Sequence, residues 1–150
     1  MGMMPSEFLA GPVDADRAAL WSVRLSEARN RWHVTVAVDD SSAGRLERLV
    51  GFVALAPDEA GDGVLLDNLH VAADQQGKGV GGQLLHAALS TSAQLWPGRD
   101  LYLWVLTANT GAARFYERHG GVAGGTRTET FPAGFRVEET RYVWRKPRAP

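Results

Sequence analysis

The chain contains no cysteine. That absence excludes disulfides, thiolate metal sites and a cysteine nucleophile together, and it fits a reducing compartment. No segment approaches the ~20 apolar residues that a membrane-spanning helix needs. The start, MGMMPSEFLAGP, lacks the basic flank and apolar run of a secretory signal. MGMMPS does match the M-G-x-x-x-S myristoylation pattern, but so short a pattern is easily met by chance, and a flexible start is the simpler reading. A basic excess is missing too. With 16 Lys and Arg against 17 Asp and Glu, the net charge of −1 offers no footprint for nucleic acid. His33, His86 and His119 show no metal-ligand spacing, so no metal is assigned. There is no internal repeat, linker or low-complexity stretch. What remains, at 150 residues and 45% hydrophobic, is expected to be one soluble cytoplasmic domain over 1–150, with 1–13 a flexible or atypical N-terminal stretch. Neither a membrane nor a nucleic acid is expected as partner.

Hydrophobic periodicity orders the rest. DADRAALWSVRLSEARN, 14–30, reads as a helix, capped by Asp14 or Asp16, with Leu20, Val23, Leu25 and Ala28 near one side. WHVTVAV, 32–38, and LVGFVALA, 49–56, read as the strands of an antiparallel hairpin with a long loop. VLLDNLHV, 64–71, is a third strand. Simple alternation puts Leu65, Asp67, Leu69 and Val71 on one side and Leu66, Asn68 and His70 on the other. From Val80 to Leu95 the spacing of Val80, Leu84, Leu85, Ala88, Leu89 and Ala93 is helical, and Pro97 and Gly98 end it. LYLWVLT, 101–107, is nearly all apolar, as expected for a strand buried on both faces. NTGAARFYERHG reads as a short helix closed by Gly120, followed by a strand near GTRTETF, a turn at PAGF and a last strand near EETRYVW. The fold class is mixed α/β, a hairpin followed by a strand–helix–strand unit.

The glycines of QGKGVGG, 76–82, lie between a strand and a helix, where backbone can approach a phosphate and the first helical N–H groups lack internal partners. The alternative is a tight turn without a ligand. GKGVGG satisfies the dinucleotide fingerprint G-x-G-x-x-G, but that site also needs an acid ~20 residues on, at the end of the next strand. Here the strand ends WVLTAN, and Asp100 stands at its wrong end. A Walker A loop is excluded because Gly79, not Ser or Thr, follows Lys78.

A longer pattern fits. LHVAADQQGKGVGGQLL, with Gln76-x-x-Gly79-x-Gly81, is followed by NTGAARFYERHGG, which matches N-x-x-A-x-x-F-Y-x-x-x-G at Asn109, Ala112, Phe115, Tyr116 and Gly120. With these two linked motifs the chain resembles the GNAT superfamily of acetyl-CoA-dependent N-acetyltransferases, in element order from about residue 14 to 146. It departs in having little room for the family's N-terminal strand and helix, and in lacking Phe after the closing glycine. The first departure bears on the acceptor pocket.

The resemblance implies a central mixed, mostly antiparallel sheet with a splayed parallel strand pair, flanked by helices. It implies acetyl-CoA as cosubstrate and CoA as product, with Gly77, Lys78, Gly79, Val80, Gly81 and Gly82 around the pyrophosphate. Leu69, His70 and Val71 would offer backbone groups to the pantetheine arm, and Asn109 would contact that arm or cap the next helix. Lys78 and Arg114 are candidate partners for the phosphates, each with a solvated surface charge as the alternative. Tyr116 matches the family's proton donor to the leaving thiolate; the alternative is a core tyrosine. Asp67 is a candidate base acting through water, with a solvent-facing strand residue as the alternative. His70 is another, with a packed or hydrogen-bonded side chain as the alternative. Glu138 and Glu139 could reach the acceptor side from the last strand, an exposed strand face being the favoured reading of both. Phe131, Phe135, Tyr142 and Trp144 lie in a tail expected to cross the acceptor cleft, lining a pocket, a homodimer interface or ordinary core. The implied activity is acetyl transfer to the primary amine of a small molecule. Acetylation of a protein N-terminus or lysine, and a non-catalytic acetyl-CoA sensor, are the alternatives.

Overall fold

The computed structural model describes residues 7–9, 18–24, 32–39, 48–58, 61 and 63–147. Within them, eight strands form one sheet: β1 (Glu7–Leu9), β2 (Ala18–Arg24), β3 (His33–Asp39), β4 (Arg48–Pro57), β5 (Gly63–Val71), β6 (Asp100–Leu106), β7 (Val122–Thr130) and β8 (Arg136–Trp144). Helix α1 (Val80–Leu95) joins β5 to β6, and α2 (Thr110–Arg118) joins β6 to β7. The order across the sheet is β1-β2-β3-β4-β5-β6-β8-β7, and only β5 and β6 run parallel.

The core lies between the sheet and the helices. The apolar stripe of α1, Val80, Leu84, Leu85 and Ala88, packs with Val53 and Leu55 of β4, Val64 and Leu66 of β5, and Leu101 and Leu103 of β6. Such stripes form because a 3.6-residue period returns every third or fourth side chain to one face. Gly51 brings α1 and the sheet close together. A Cβ there would stand 2.7 Å from the His70 carbonyl oxygen and 3.0 Å from Leu84 Cδ1.

Three expectations are corrected. The helix over 14–30 is absent at 18–24, which instead form β2, paired antiparallel with β3 from Ala18↔Asp39 to Arg24↔His33. The ladder bonds of a neighbouring strand override a weak local helix preference. Asp14, Asp16, Leu25 and Ala28 lie outside the described residues. In the N-terminal stretch, Glu7–Leu9 form β1 against β2. β6 is buried on one face only. Leu101 and Leu103 are in the core, whereas Tyr102 and Trp104 are half-exposed beneath the Arg141 and Arg127 guanidinium groups, 4.5 and 4.1 Å from their ring centroids. An apolar run thus conceals ordinary alternation, because aromatic rings with cations stacked on them tolerate the solvent side.

The third correction concerns β5. Its register against β4 shifts between Ala54↔Asn68 and Leu55↔Leu66, leaving Asp67 without an opposite residue. This is a β-bulge, which inserts one residue and resets the alternation. Leu66 faces the core before it and Leu69 packs against the core after it, so Asp67 and Asn68 both turn outward on the opposite face and are exposed.

Candidate active site

The parallel ladder between β5 and β6 consists of Gly63↔Asp100, Val64↔Leu101 and Leu65↔Tyr102, and there it stops. Beyond it β5 continues against β4 as far as Val71↔Gly51, while β6 continues against β8 as far as Leu106↔Glu139. The two strands part, and among the described residues the edge of β5 after Leu65 is left without a strand partner. A cleft of about 660 Å³ opens on the helix side of this gap, lined by the end of β5, the glycine loop, the first turn of α1 and one face of α2.

The loop is shaped by its glycines. Gly77 and Gly79 have φ of +83° and +87°, in the left-handed region that residues with a Cβ seldom enter. Gly79 caps α1 without a side-chain hydrogen bond, and the first turn holds no acidic residue. Its N–H groups are therefore available to an anion, which the helix dipole also favours. Two contacts brace the loop. Gln76 Nε2 donates to the Val71 carbonyl at 3.2 Å, tying the loop to the strand end. Arg48 of β4 pairs with Asp74 in the short turn before the glycines at 2.6 Å, which holds the Asp74 carboxyl below its usual range and raises the arginine.

Across the cleft, Asn109 Oδ1 accepts the Ala112 N–H at 3.1 Å and so caps α2. Ala112, Phe115, Tyr116 and His119 then line the cleft from a single helical face, with Arg118 beside them. A Cβ on Gly81 would lie 3.5 Å from Phe115 Cζ and 3.6 Å from Val71 Cγ2, and one on Gly82 would lie 3.0 Å from His119 Nε2. The small residues at 81 and 82 thus allow α2 to close against the start of α1. His119 is held by contact of its Nδ1 with the Phe115 carbonyl at 2.8 Å.

Tyr116 stands at the junction of cleft and core. Its ring meets Phe115 edge-on at 5.3 Å and Trp144 at 6.0 Å, with Tyr142 at 6.2 Å. Burial pushes its phenol above the ordinary tyrosine value, so it stays protonated at neutral pH. Tyr142, itself buried, donates to Glu117 Oε2 at 2.9 Å, and Trp144 Nε1 donates to the His119 carbonyl at 2.9 Å. Both of these aromatics support α2 from beneath rather than crossing an acceptor cleft.

Of the residues singled out in the sequence, Leu69, Val71, Gln76, Gly77, Gly79, Gly81, Gly82, Asn109 and Tyr116 line the one cleft. The Val80 side chain is buried in the core, which leaves only its backbone to the loop. Lys78 and Arg114 are exposed and do not line the cleft. His70 is on the opposite face of the sheet, its ring 5.8 Å from that of Phe52. Asp67, turned the same way by the bulge, stands where β5 and β6 separate. Glu139 accepts from Arg127 Nε at 2.8 Å, and the Glu138 carbonyl accepts the Thr107 N–H at 2.8 Å. Phe131 and Phe135 are exposed and stack on each other at 4.8 Å. Arg118 and His119 were missed. The i, i+3, i+4, i+7 spacing of Ala112, Phe115, Tyr116 and His119 was the available signal for the second of them.

Among the described residues, no group of three or more His, Cys, Asp or Glu could hold a metal ion. No helix there is long and apolar enough to cross a membrane.

A glycine-rich helix start facing a parted parallel strand pair defines a class of transferase fold, and the comparisons agree on which one. The family model for the Acetyltransferase (GNAT) domain matches residues 30–120. The chain belongs to the GNAT acetyltransferase family, a family of acetyl-CoA-dependent acyltransferases. It is 37% identical over 70 residues to a protein of Mycobacterium tuberculosis described as a probable N-acetyltransferase, a match spanning 46% of this chain and 38% of that protein. Among solved structures it is similar to Arabidopsis thaliana NAA60 in complex with acetyl-CoA, with a TM-score of 0.65 at 22% identity, over 77% of each chain. It is also similar to the spermidine/spermine N-acetyltransferase SpeG of Vibrio cholerae, with a TM-score of 0.63 at 25% identity, over 79% of this chain and 68% of that one.

Proposed function

We propose that the domain transfers the acetyl group of acetyl-CoA to the primary amine of a small molecule, by direct attack of the amine on the thioester. The observation that carries this reading is the convergence on one cleft of three features: a β5 edge unpaired among the described residues, an α1 start with no side-chain cap and the protonated Tyr116. The N–H groups of the glycine loop and the first turn of α1 would receive the pyrophosphate. The edge of β5 from Leu69 to Val71 would pair with the amide-bearing pantetheine arm as with another strand. Arg118, on the cleft wall, is better placed than Lys78 or Arg114 to meet a phosphate.

The chemistry is mostly positioning. Two reactants held in line gain the advantage of an intramolecular reaction, and a backbone donor near the end of β5 would stabilise the developing oxyanion. Tyr116 would give its proton to the departing thiolate. The amine would approach from the opposite face, through the gap. There the bulge presents Asp67 to take the ammonium proton through water.

The open face of the sheet favours a small cationic acceptor because Asp67 and Asn68 stand exposed at the gap. Similarity to Arabidopsis thaliana Naa50 in complex with the bisubstrate analogue CoA-Ac-MVNAL, beside that to a spermidine/spermine acetyltransferase, keeps a peptide acceptor as the second reading. The test is a screen of polyamines, aminoglycoside-like amines, amino acids and short peptides with acetyl-CoA, read as free CoA released. Release with small amines and none with peptides is the expected result. Release with peptides alone reverses the acceptor assignment. Tight binding of acetyl-CoA with no release across the panel makes the domain a sensor.

A further inference from the structure

Strand β7 ends the sheet among the described residues, and all nine of its residues, Val122–Thr130, are exposed. The direction of its backbone groups follows from two bonds. Phe131 N–H donates to the Phe135 carbonyl at 2.9 Å, so at 131 the chain turns its polar groups toward β8. Opposite Thr128 in the register, the Glu138 carbonyl turns the other way, to Thr107 N–H. Alternation then directs the N–H and C=O of Arg127 and Glu129 to β8, and those of Thr126, Thr128 and Thr130 out from the sheet. Three consecutive outward residues form an open hydrogen-bonding edge, which a second strand can complete.

The side chains along that edge are self-complementary. With Thr128 as a two-fold centre in an antiparallel pairing, Thr126 meets Thr130 and Arg127 meets Glu129, twice each by symmetry. The outward backbone groups fall on the 128↔128 and 126↔130 pairs, which would exchange hydrogen bonds. The Arg127↔Glu129 pairs fall on the positions where opposite side chains are closest, and opposite charges there stabilise a sheet. Glu129 is exposed and already pairs with Arg127 of its own strand at 3.8 Å, a long contact that the second copy's Arg127 would join across the interface. One step further out, Phe131 would lie opposite Gly125, whose missing side chain leaves room for an aromatic ring. The exposed stacked pair Phe131 and Phe135 would thereby be partly covered. We infer that β7 is the interface of a symmetric homodimer, two copies pairing edge to edge about Thr128 to continue one sheet through both. Such a contact is isologous and closes on itself, giving dimers and not filaments.

Sedimentation velocity of the full chain over a wide concentration range, with thermal melts, tests this. Wild type is expected to show a monomer–dimer equilibrium. Thr128→Pro removes an amide that β8 does not use, so the variant should still melt cooperatively, at a temperature that no longer rises with protein concentration, and lose the dimer. Glu129→Arg, which would place arginines opposite each other, should also be monomeric, and it serves as the readout if the proline variant does not fold. A wild type that stays monomeric throughout overturns the proposal and leaves the edge to an extended peptide or to solvent. A dimer that persists in the folded variants overturns it by placing the contact on another surface.

Discussion

Before the bulge at Asp67, β5 is held along both edges, and its Val64 and Leu66 are buried in the core. Beyond the bulge β4 alone holds it among the described residues, and Leu69 and Val71, still packed against the core, line a cleft. The residue types in the two halves are alike; their partners differ. Strand pairing spends backbone groups on the fold, whereas parting from β6 leaves them for a ligand. The glycines divide in the same way. Gly63, in the β5–β6 ladder, is small because neighbouring atoms leave no room: a Cβ there would lie 2.9 Å from Tyr102 Cε1. Gly77 has open space around its missing Cβ and owes its identity to its positive φ. Closed packing requires glycine on one side of the comparison, and backbone shape for binding requires it on the other.

Replacing glycine on each side separates the two roles. Gly81→Trp is expected to abolish acetyl-CoA binding in a folded protein, because an indole between Val71 and Phe115 fills the cleft. Calorimetry showing unchanged affinity would remove the cofactor from this site. Next in size is Tyr116→Phe, which should lower kcat by on the order of 100-fold or less with cofactor affinity retained, since a thiolate of pKa near ~8.5 leaves tolerably without a proton. Steady-state kinetics at wild-type rate would make Tyr116 a packing residue alone.

On the closed side, Gly63→Ala should cost roughly 1–3 kcal/mol of stability, as overpacking does. Its new Cβ would meet the ring of Tyr102, in the next strand, and would stand 3.2 Å from the Asp100 carbonyl oxygen. Its melting temperature should fall while acetyl-CoA affinity per folded molecule stays the same. The smallest effect comes from alkaline titration. Tyr102, Tyr116 and Tyr142 are all raised above the ordinary value, chiefly by burial, with the Asp58 and Glu117 carboxylates adding to the first and last. Each folded-state value lies above the unfolded one, so the stability that depends on their protonation is complete below about pH 10 and is lost as pH rises through the folded values. Melting temperatures measured across that range should decline, and the decline should be smaller in Tyr142→Phe. A flat profile would show that the phenols ionise as freely in the folded chain as in the unfolded one.

Where the chain's own period repeats long enough, its sequence was legible. Val80–Leu95 announced α1 to the residue, because six apolar positions at helical spacing and the Pro97–Gly98 stop are local facts. The glycine loop and the Asn109–Tyr116 motif were readable for a similar reason. A left-handed turn and a helix cap each demand particular residue types wherever they occur. Leu20 and Val23 misled, since their spacing suits a helix face as well as a strand and only the pairing with β3 decides. Arg118 escaped notice because a cationic side chain on a short helix carries no local sign of which wall it will stand on.

By itself, the sequence determined the family, the mixed α/β class, most of the elements and the glycine architecture of the cleft. Each of these depends on residues close together in the chain or on motifs of fixed spacing. Tertiary structure alone decided that β5 and β6 part after Leu65, and that the bulge sets Asp67 on the face of Asn68 and His70, opposite the cleft. Register is a property of two strands at once: a shift of one residue on either strand exchanges the faces of every side chain beyond it. No pattern within VLLDNLHV records what β4 and β6 do beside it.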